Sequence, residues 1–284
     1  MAADFAEKID RSFAKMSKGQ KAIALYIMQH YDKAAFMTAG ALGSAAGVSE
    51  STVVRFADSL DYRGYPELQK ELQEMLRIRL TGTQRMELTG ELSSTKLFDK
   101  VLKTDAENIR ATLHHMDKQA FQSTVDALLH AKRIYIMGIR SAEIIAHTLS
   151  YYLDFILDNV RHVTDTSNGM MEQLIHINAR DVFVGISFPR YSKRTVDAMT
   201  FAKKHGARCI GITDSSFSPL AELADIKMEI RCDTASFADS LVAPLSVTNA
   251  LIAAISQEKK QELSRNLKEM ESIWNQNQFY AAKK

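Results

Sequence analysis

The stretch RIYIMGIRSAEIIAHTL, residues 133–149, reads as a strand, a glycine turn and a helix. Residues 133–138 are a short apolar run of strand length, and from Ala142 the apolar residues recur at helical spacing. Gly138 stands at the junction, where the backbone must turn sharply. Ser141 and the N–H groups of the helix start then face whatever lies above the strand end.

The same grammar returns in VGISFPRYSKRTVDAM, residues 184–199. A strand over 181–186 is followed by Ser187, Ser192 and Thr195 around a second helix start. Three further apolar runs are VRHV (160–163), ARCIGIT (207–213) and IKMEI (226–230). Helical stretches such as Ala142–Leu157 and Thr195–His205 separate them. Apolar strands alternating with helices predict an α/β domain around a central five-stranded parallel sheet, its strands buried on both faces. Two hydroxyl-bearing loops at the carboxyl edge of such a sheet form an anion pocket. Its candidate ligand-binding residues are Ser141, Ser187, Arg190, Ser192 and Thr195, with Lys193 as a further source of charge. Singly, each loop reads more readily as the N-cap of an ordinary βα unit than as a ligand site. The presence of both in the right chain order favours the pocket. The C-terminal QEKKQELSRNLKEMESIW (257–274) sets Leu263, Leu267, Met270 and Trp274 at helical spacing, an amphipathic helix to dock on this domain or on a partner subunit.

Upstream the texture is different. From Phe5 to about Leu80 the pattern is helical throughout. Ser17 is placed to cap a helix that sets Ile23 and Ile27 on one face, and a short helix over Ala39–Ala46 leads to Gly47. Next comes GVSESTVVRFADSLDYRGY, residues 47–65, with Ser49 as N-cap. Val53, Ala57 and Leu60 face a core, and the other stripe is Ser51, Thr52, Arg55 and Ser59. Helix, glycine, helix is the order of a helix-turn-helix, whose second helix offers its N-terminal side chains to the major groove. Arg55 is suited to fork onto a guanine or to clamp a phosphate. Ser49, Ser51 and Thr52 are short enough for close approach, and Arg63, Tyr65 and Lys70 would grip the flanking backbone. The competing reading is the solvated face of a helical bundle that binds nothing. Pro66 opens PELQKELQEMLRIRL in a first turn that tolerates it. The polar TGTQRMELTGELSSTK (81–96) begins a linker, and helices follow around Leu97–His115 and Lys118–His130. The expected organisation is a helix-turn-helix domain over 1–80, a linker over 81–104, and an α/β domain with its C-terminal helix over 105–284.

Composition narrows the function classes. The chain has 284 residues, 46% of them hydrophobic, and a net charge of +2. The first 80 residues carry eleven Lys/Arg against ten Asp/Glu, so DNA binding there must rest on where the charges sit. Cys209 and Cys232 make no disulfide framework, and no apolar run approaches membrane length. MAADFAEKIDRSFAKM carries acids and no apolar stretch, so it is not read as a secretion signal, and a cytoplasmic location is expected. Neither H-x-x-x-H nor C-x-x-C occurs, and there is no Walker or G-x-G-x-x-G pattern, so no metal and no cofactor are called for. Glu172 and His176 stand i, i+4; a surface pair is the plainer reading, an acid–base pair the alternative.

Residues 47–72 resemble the N-terminal domain of RpiR-type transcriptional regulators, in which V-S-x-x-T-V-x-R-F is followed by L-x-Y-x-G-[FY]. The chain supplies Val48, Ser49, Thr52, Val53, Arg55, Phe56, Leu60, Tyr62, Gly64 and Tyr65. Asp61 stands where that family usually has glycine, and Ser59 where a basic residue is frequent. Residues 121–256 resemble a SIS (sugar isomerase) domain, found in phosphosugar isomerases, glucosamine-6-phosphate synthase and RpiR-type regulators. Its usual S-x-S-G-x-T loop falls on Ser187, Pro189, Arg190 and Ser192. The resemblance implies a DNA-binding regulator, not an enzyme. Its partners would be double-stranded operator DNA and a small phosphorylated, sugar-derived or related anionic metabolite. A homodimer or homotetramer is expected and no membrane is involved. The alternatives are a phosphosugar isomerase with an accessory helical domain, and a sugar-phosphate binder whose helical domain serves assembly.

Overall fold

The computed structural model describes residues 8–9, 12–79, 83, 86, 92–164, 169–216, 218–234 and 236–280. The chain divides into two compact units, Met1–Gln84 and Arg85–Lys284. Most of the stretch assigned to the first part of the linker, 81–91, lies outside the described residues.

In the first unit helix α1 spans Lys18–Gln29, and a single turn, α2, spans Tyr31–Ala34. Helices α3 (Ala39–Ala46), α4 (Glu50–Ser59) and α5 (Tyr65–Arg79) follow. A capping box starts α1: the Gln20 N–H donates to Ser17 Oγ and the Ser17 N–H to Gln20 Oε1. Thr38 Oγ1 accepts from the Ala41 N–H and so starts α3. The core holds Ile23, Ile27, Leu42, Val53, Phe56, Ala57, Leu60, Leu68 and Leu72. Phe56, which sequence spacing left unassigned, is fully buried among them.

Helices α3 and α4 end in the same way. After α3 the Val48 N–H reaches back to the Gly43 carbonyl and the Gly47 N–H to that of Ser44, with Gly47 left-handed at φ 70°. After α4 the Tyr62 N–H reaches Ala57 and the Asp61 N–H reaches Asp58, with Asp61 left-handed at φ 65°. Both are Schellman closures, which require a residue at positive φ. The aspartate therefore holds a conformation that glycine adopts without strain.

In the second unit α6 (Ser94–His115) and α7 (Lys118–His130) precede the sheet. The helix α6 takes in residues 94–104 of the segment assigned to the linker. Then come β1 (Ile134–Gly138), α8 (Ser141–Asp154), β2 (Val160–His162), β3 (Val182–Ile186) and α9 (Lys193–Lys204). The chain continues through β4 (Arg208–Thr213), α10 (Pro219–Leu223), β5 (Ile226–Glu229), α11 (Val242–Glu258) and α12 (Lys260–Gln276). The five strands are parallel in the order β2-β1-β3-β4-β5. Helices α7, α8 and α11 pack on one face over Ile134, Ile136, Val182 and Val184. Helices α9 and α10 pack on the other over Tyr135, Met137, Phe183 and Cys209.

The expectation of strands buried on both faces holds for the inner strands β1 and β3, and for β4 beyond Arg208. It fails at the edges. Lys227 and Glu229 of β5 and Arg161 of β2 are exposed, because an edge strand has cover from only part of a helix layer. Gly138 differs too: a Cβ there would lie 2.4 Å from the Ala142 carbonyl oxygen, so glycine is needed for space. The positive φ of that turn falls on Arg140, at 61°. Helix α12 has no buried residue, and only Leu263 packs against the core. No helix among the described residues is long and apolar enough to cross a membrane.

Two outcomes are expected. Asp61→Gly should raise the unfolding free energy by ~0.5–1 kcal/mol in urea titrations, the left-handed strain relieved less the added chain entropy. A fall instead would mean that the carboxylate makes a contact worth more than its backbone strain. Burial pushes the Cys209 thiol up to about 12, so it stays protonated far above neutral pH. Iodoacetamide at pH 8.5 should then leave Cys209 unlabelled in the folded protein and label it in urea, as read by peptide mass spectrometry.

Candidate functional site

Helix α4 presents one stripe outward. Ser51, Arg55 and Ser59 are exposed on it, and Thr52 is half-buried. Ser49 occupies the N-cap in an extended conformation, yet its hydroxyl makes no capping bond to the first turn. It pairs sideways with Ser51 Oγ at 2.9 Å and Thr52 Oγ1 at 2.8 Å. The three hydroxyls form one cluster at the positive end of the helix. Arg55 lies back against this cluster, its Nε donating to the Ser51 carbonyl at 3.3 Å. Ser49 and Thr52 of this cluster, with Val48 and Arg55, form one wall of a shallow cleft of about 520 Å³. The opposite wall is the start of α1, with Ser17, Gly19 and Gln20. Two helix N-termini, the three hydroxyls of Ser17, Ser49 and Thr52, and one guanidinium therefore converge in one place. Such an arrangement suits a phosphate oxygen.

Ser17 and Gln20 were legible in the sequence only as a helix cap. Their further role depends on α1 crossing α4, which local spacing does not encode. Gln20 Nε2 reaches across to Ser59 Oγ at 3.2 Å and joins the two helices. Arg63 and Lys70 are exposed, as a backbone grip requires. Tyr65 is not: it is buried, and its hydroxyl donates to the Met37 carbonyl at 2.7 Å. Burial pushes its phenol up to about 12. Tyr65 thus belongs to the core of the unit, where it ties α5 to the chain ahead of α3.

In the second unit the chain order reverses between β1 and β3. The first strand connects outward to β2 through α8, and β3 connects the other way to β4 through α9. The crevice above the carboxyl ends of those two strands is where ligands bind in doubly wound sheets. The register pairs Gly138 with Ile186, so the two loops leave adjacent strands at one level. Arg140 and Arg190 both hold positive φ, 61° and 69°, in these loops. Each non-glycine residue in that region costs on the order of 1–2 kcal/mol. Position 190 is the one where the resemblance sets glycine, so the backbone shape persists while the side chain differs.

Ser187 is buried, and its Oγ accepts the Ser192 N–H at 3.0 Å. Ser192 caps α9 by accepting the Thr195 N–H at 3.3 Å. Thr195 is fully buried, and its hydroxyl has no hydrogen-bond partner among the described residues. Arg190 is exposed at the tip of the loop. Lys193 is paired to Asp197 at 2.6 Å, which offsets its charge. Ser141 opens α8, and its hydroxyl donates to Asp239 Oδ2 at 2.8 Å. Beside these, the Tyr191 hydroxyl donates to Asp214 Oδ1 at 2.9 Å, and Asp214 is buried just past the end of β4. Asp214, Tyr191 and Asp239 were missed from sequence. The signal for Asp214 was present, an acid directly after the apolar run of β4. Asp239 sits in an irregular segment with no pattern to mark it.

Glu172 and His176 are both exposed, and Glu172–Leu174 is a 3-10 turn, so the two do not share an α-helical face. His176 offers its carbonyl to Arg133 Nη2 at 2.6 Å, at the amino edge of the sheet. Among the described residues no group of three or more His, Cys, Asp or Glu side chains is arranged to hold a metal ion.

Family models match both units. One, described as a helix-turn-helix domain of the rpiR family, matches residues 3–78, and one described as a SIS domain matches residues 127–254. The regulator HexR of Escherichia coli is 28% identical over 283 residues, covering 96% of this chain and 95% of that protein. An HTH-type regulator of Clostridium perfringens is 26% identical over 223 residues, covering 78% of this chain and 80% of its own. The sugar isomerase domain of an RpiR transcription factor from Sphaerobacter thermophilus superposes with a TM-score of 0.59 at 25% identity, covering 61% of this chain and 97% of its own. The Vibrio vulnificus NanR protein, solved in complex with ManNAc-6P, shares the fold over 94% of this chain and 96% of its own, with a TM-score of 0.61 at 21% identity. A helical unit that carries the rpiR-type turn, joined to a five-stranded parallel unit that carries the SIS domain, matches this chain to the RpiR-family helix-turn-helix regulators with a SIS domain.

Proposed function

We propose that this regulator binds operator DNA through the face of α4, and that a small phosphorylated, sugar-derived anion held at the β1/β3 crevice alters that binding. One observation carries the reading. The same chain brings two helix N-termini and Arg55 together in a cleft on the first unit, and sets two hydroxyl-bearing loops at one level above adjacent strands in the second. Each arrangement suits an anionic oxygen, one on a nucleic acid and one on a metabolite. The ManNAc-6P held by NanR supports the ligand class at the level of the fold.

Arg55, Ser51 and Thr52 are the residues aimed at base edges or the nearest phosphates, and Ser49, Arg63 and Lys70 flank them. Ser187, Ser192, Thr195 and Arg190 form the anion loop of the second unit. Ser141 starts the facing helix. A symmetric oligomer fits this function, because one recognition helix reads too few base pairs. Phe98, Leu102, Ile109 and Leu113 form an exposed apolar stripe on α6, beside a 260 Å³ groove lined by Met116, Phe121 and Val247. This stripe supports self-association.

Operator duplexes can be selected from a random pool by the wild-type protein, and effectors found by thermal shift against sugar phosphates. A binder at a hundredfold excess over its Kd stabilises by ~2.7 kcal/mol. Arg55→Ala should weaken the selected duplex by ~1–3 kcal/mol without loss of folding. Unchanged affinity in the folded variant would remove α4 from the interface. Ser192→Ala should lower effector affinity and abolish the effector's action on DNA, while effector-free DNA affinity stays within about twofold of wild type. An unaltered response at the wild-type effector concentration would place the effector elsewhere.

A further inference from the structure

Among its described residues the segment that joins β5 to α11 has no regular structure, and its hydrogen bonds run to two different helices. On one side it is tied to α6. The Arg231 N–H donates to Thr112 Oγ1 at 3.0 Å. The Asp233 N–H donates to Asn108 Oδ1 at 3.0 Å, and Asn108 Nδ2 returns a bond to the Asp233 carbonyl at 2.7 Å. The Ser240 hydroxyl donates to Asp105 Oδ1 at 2.6 Å. Residues 105, 108 and 112 form one stripe of α6. Asn108 and Thr112 are buried under the segment.

On the other side it is tied to the crevice. Asp239 Oδ2 accepts the hydroxyl proton of Ser141, the first residue of α8. A carboxylate at a helix start takes the place that an incoming anion would take. The segment is also stiffened from within. The Ser236 N–H donates to Thr234 Oγ1 and the Ala238 N–H to Ser236 Oγ, each at 3.1 Å. A pull at Asp239 is therefore carried along the segment rather than absorbed by it.

We infer that Asp239 is a resident anion of the crevice, that the effector's phosphate displaces it from Ser141, and that the freed strap alters its hold on the 105/108/112 stripe of α6. The inference rests on the reading of the β1 and β3 loops as an anion site. Two negative groups cannot share the Ser141 hydroxyl and one helix start, so effector binding and strap docking exclude one another. Among the helices α6 to α12 of this unit, α6 is the first and so lies nearest in the chain to the DNA-binding unit. A change in how α6 is held is thus a change at the root of the connection to that unit.

The test uses the full-length chain, with inorganic phosphate and glucose 6-phosphate as probes in calorimetric titrations. Asp239→Asn keeps a hydrogen-bond acceptor and removes the charge. It should bind both probes roughly 5- to 10-fold more tightly than wild type, the size of one charge effect at a partly buried helix start. Ser240→Ala, which removes the strap's bond to Asp105 of α6 and leaves Asp239 in place, should bind the probes within about twofold of wild type yet lose their effect on DNA affinity. Failure of the site reading has its own signature: probe binding that is absent, or unaffected by Ser192→Ala, in the Asp239-intact protein. Failure of the strap has another: Ser192-dependent binding that Asp239→Asn leaves unchanged or weakens. Weakened binding would make Asp239 a group that grips the sugar, and would overturn the displacement. An undiminished DNA response in Ser240→Ala would overturn the coupling through α6.

Discussion

The side-by-side pairing of β1 and β3 is the constraint on which the second unit depends. Five residue pairs, from Ile134 with Val182 to Gly138 with Ile186, fix their register. At the amino ends Arg133 Nη2 meets the buried Asp181 carboxylate at 3.0 Å and locks the two strands against slipping. Asp181 also accepts the Asn178 N–H, so its charge is neutralised and solvated by protein groups. A buried carboxylate with one partner removed would be strongly destabilising. Given this register and right-handed crossovers, α8 and α9 must leave in opposite directions onto opposite faces. The crevice between their N-termini follows from the topology, and the hydroxyls need only be supplied at positions 141, 187 and 192.

That dependence explains what could be read from the sequence. Strand positions were legible because runs such as Ile134–Met137 and Val182–Ile186 are apolar on both faces, which only an inner strand tolerates. Ser187 was legible because it follows such a run directly, and Ser192 because it stands at the start of the next helix. Tyr65 was misplaced because its exposure depends on where Met37 lies, twenty-eight residues away in the chain. Asp239 was invisible for the same reason: its partner Ser141 is ninety-eight residues distant. Local pattern reports faces and turns, and contacts of long sequence separation leave no period to detect.

The first unit shows a different economy. Gly47 and Asp61 serve one geometric purpose at the two ends of the turn-helix pair, yet only the glycine announces it in the sequence. The second closure matters as much, since it ends α4 and directs Tyr62, Tyr65 and Leu68 into the core. Gly43 adds a restraint of space. A Cβ there would approach the Val48 carbonyl oxygen to 2.9 Å, so α3 lies almost against the chain that enters α4. The orientation of α4 is therefore set by backbone contact, which leaves its outward side chains free to vary without disturbing the pose.

The charged rims of the sheet bear on how copies of the protein meet. Open strands with bare N–H and carbonyl groups invite a neighbouring chain to add itself, and from there to a growing fibre. Here Arg161 stands on one outer strand, and Lys227 and Glu229 on the other. A strand arriving from another molecule would have to strip water from those ions to gain its backbone bonds. Edge-to-edge addition is thereby penalised at both outer strands, and the inner strands keep their backbone bonds to themselves.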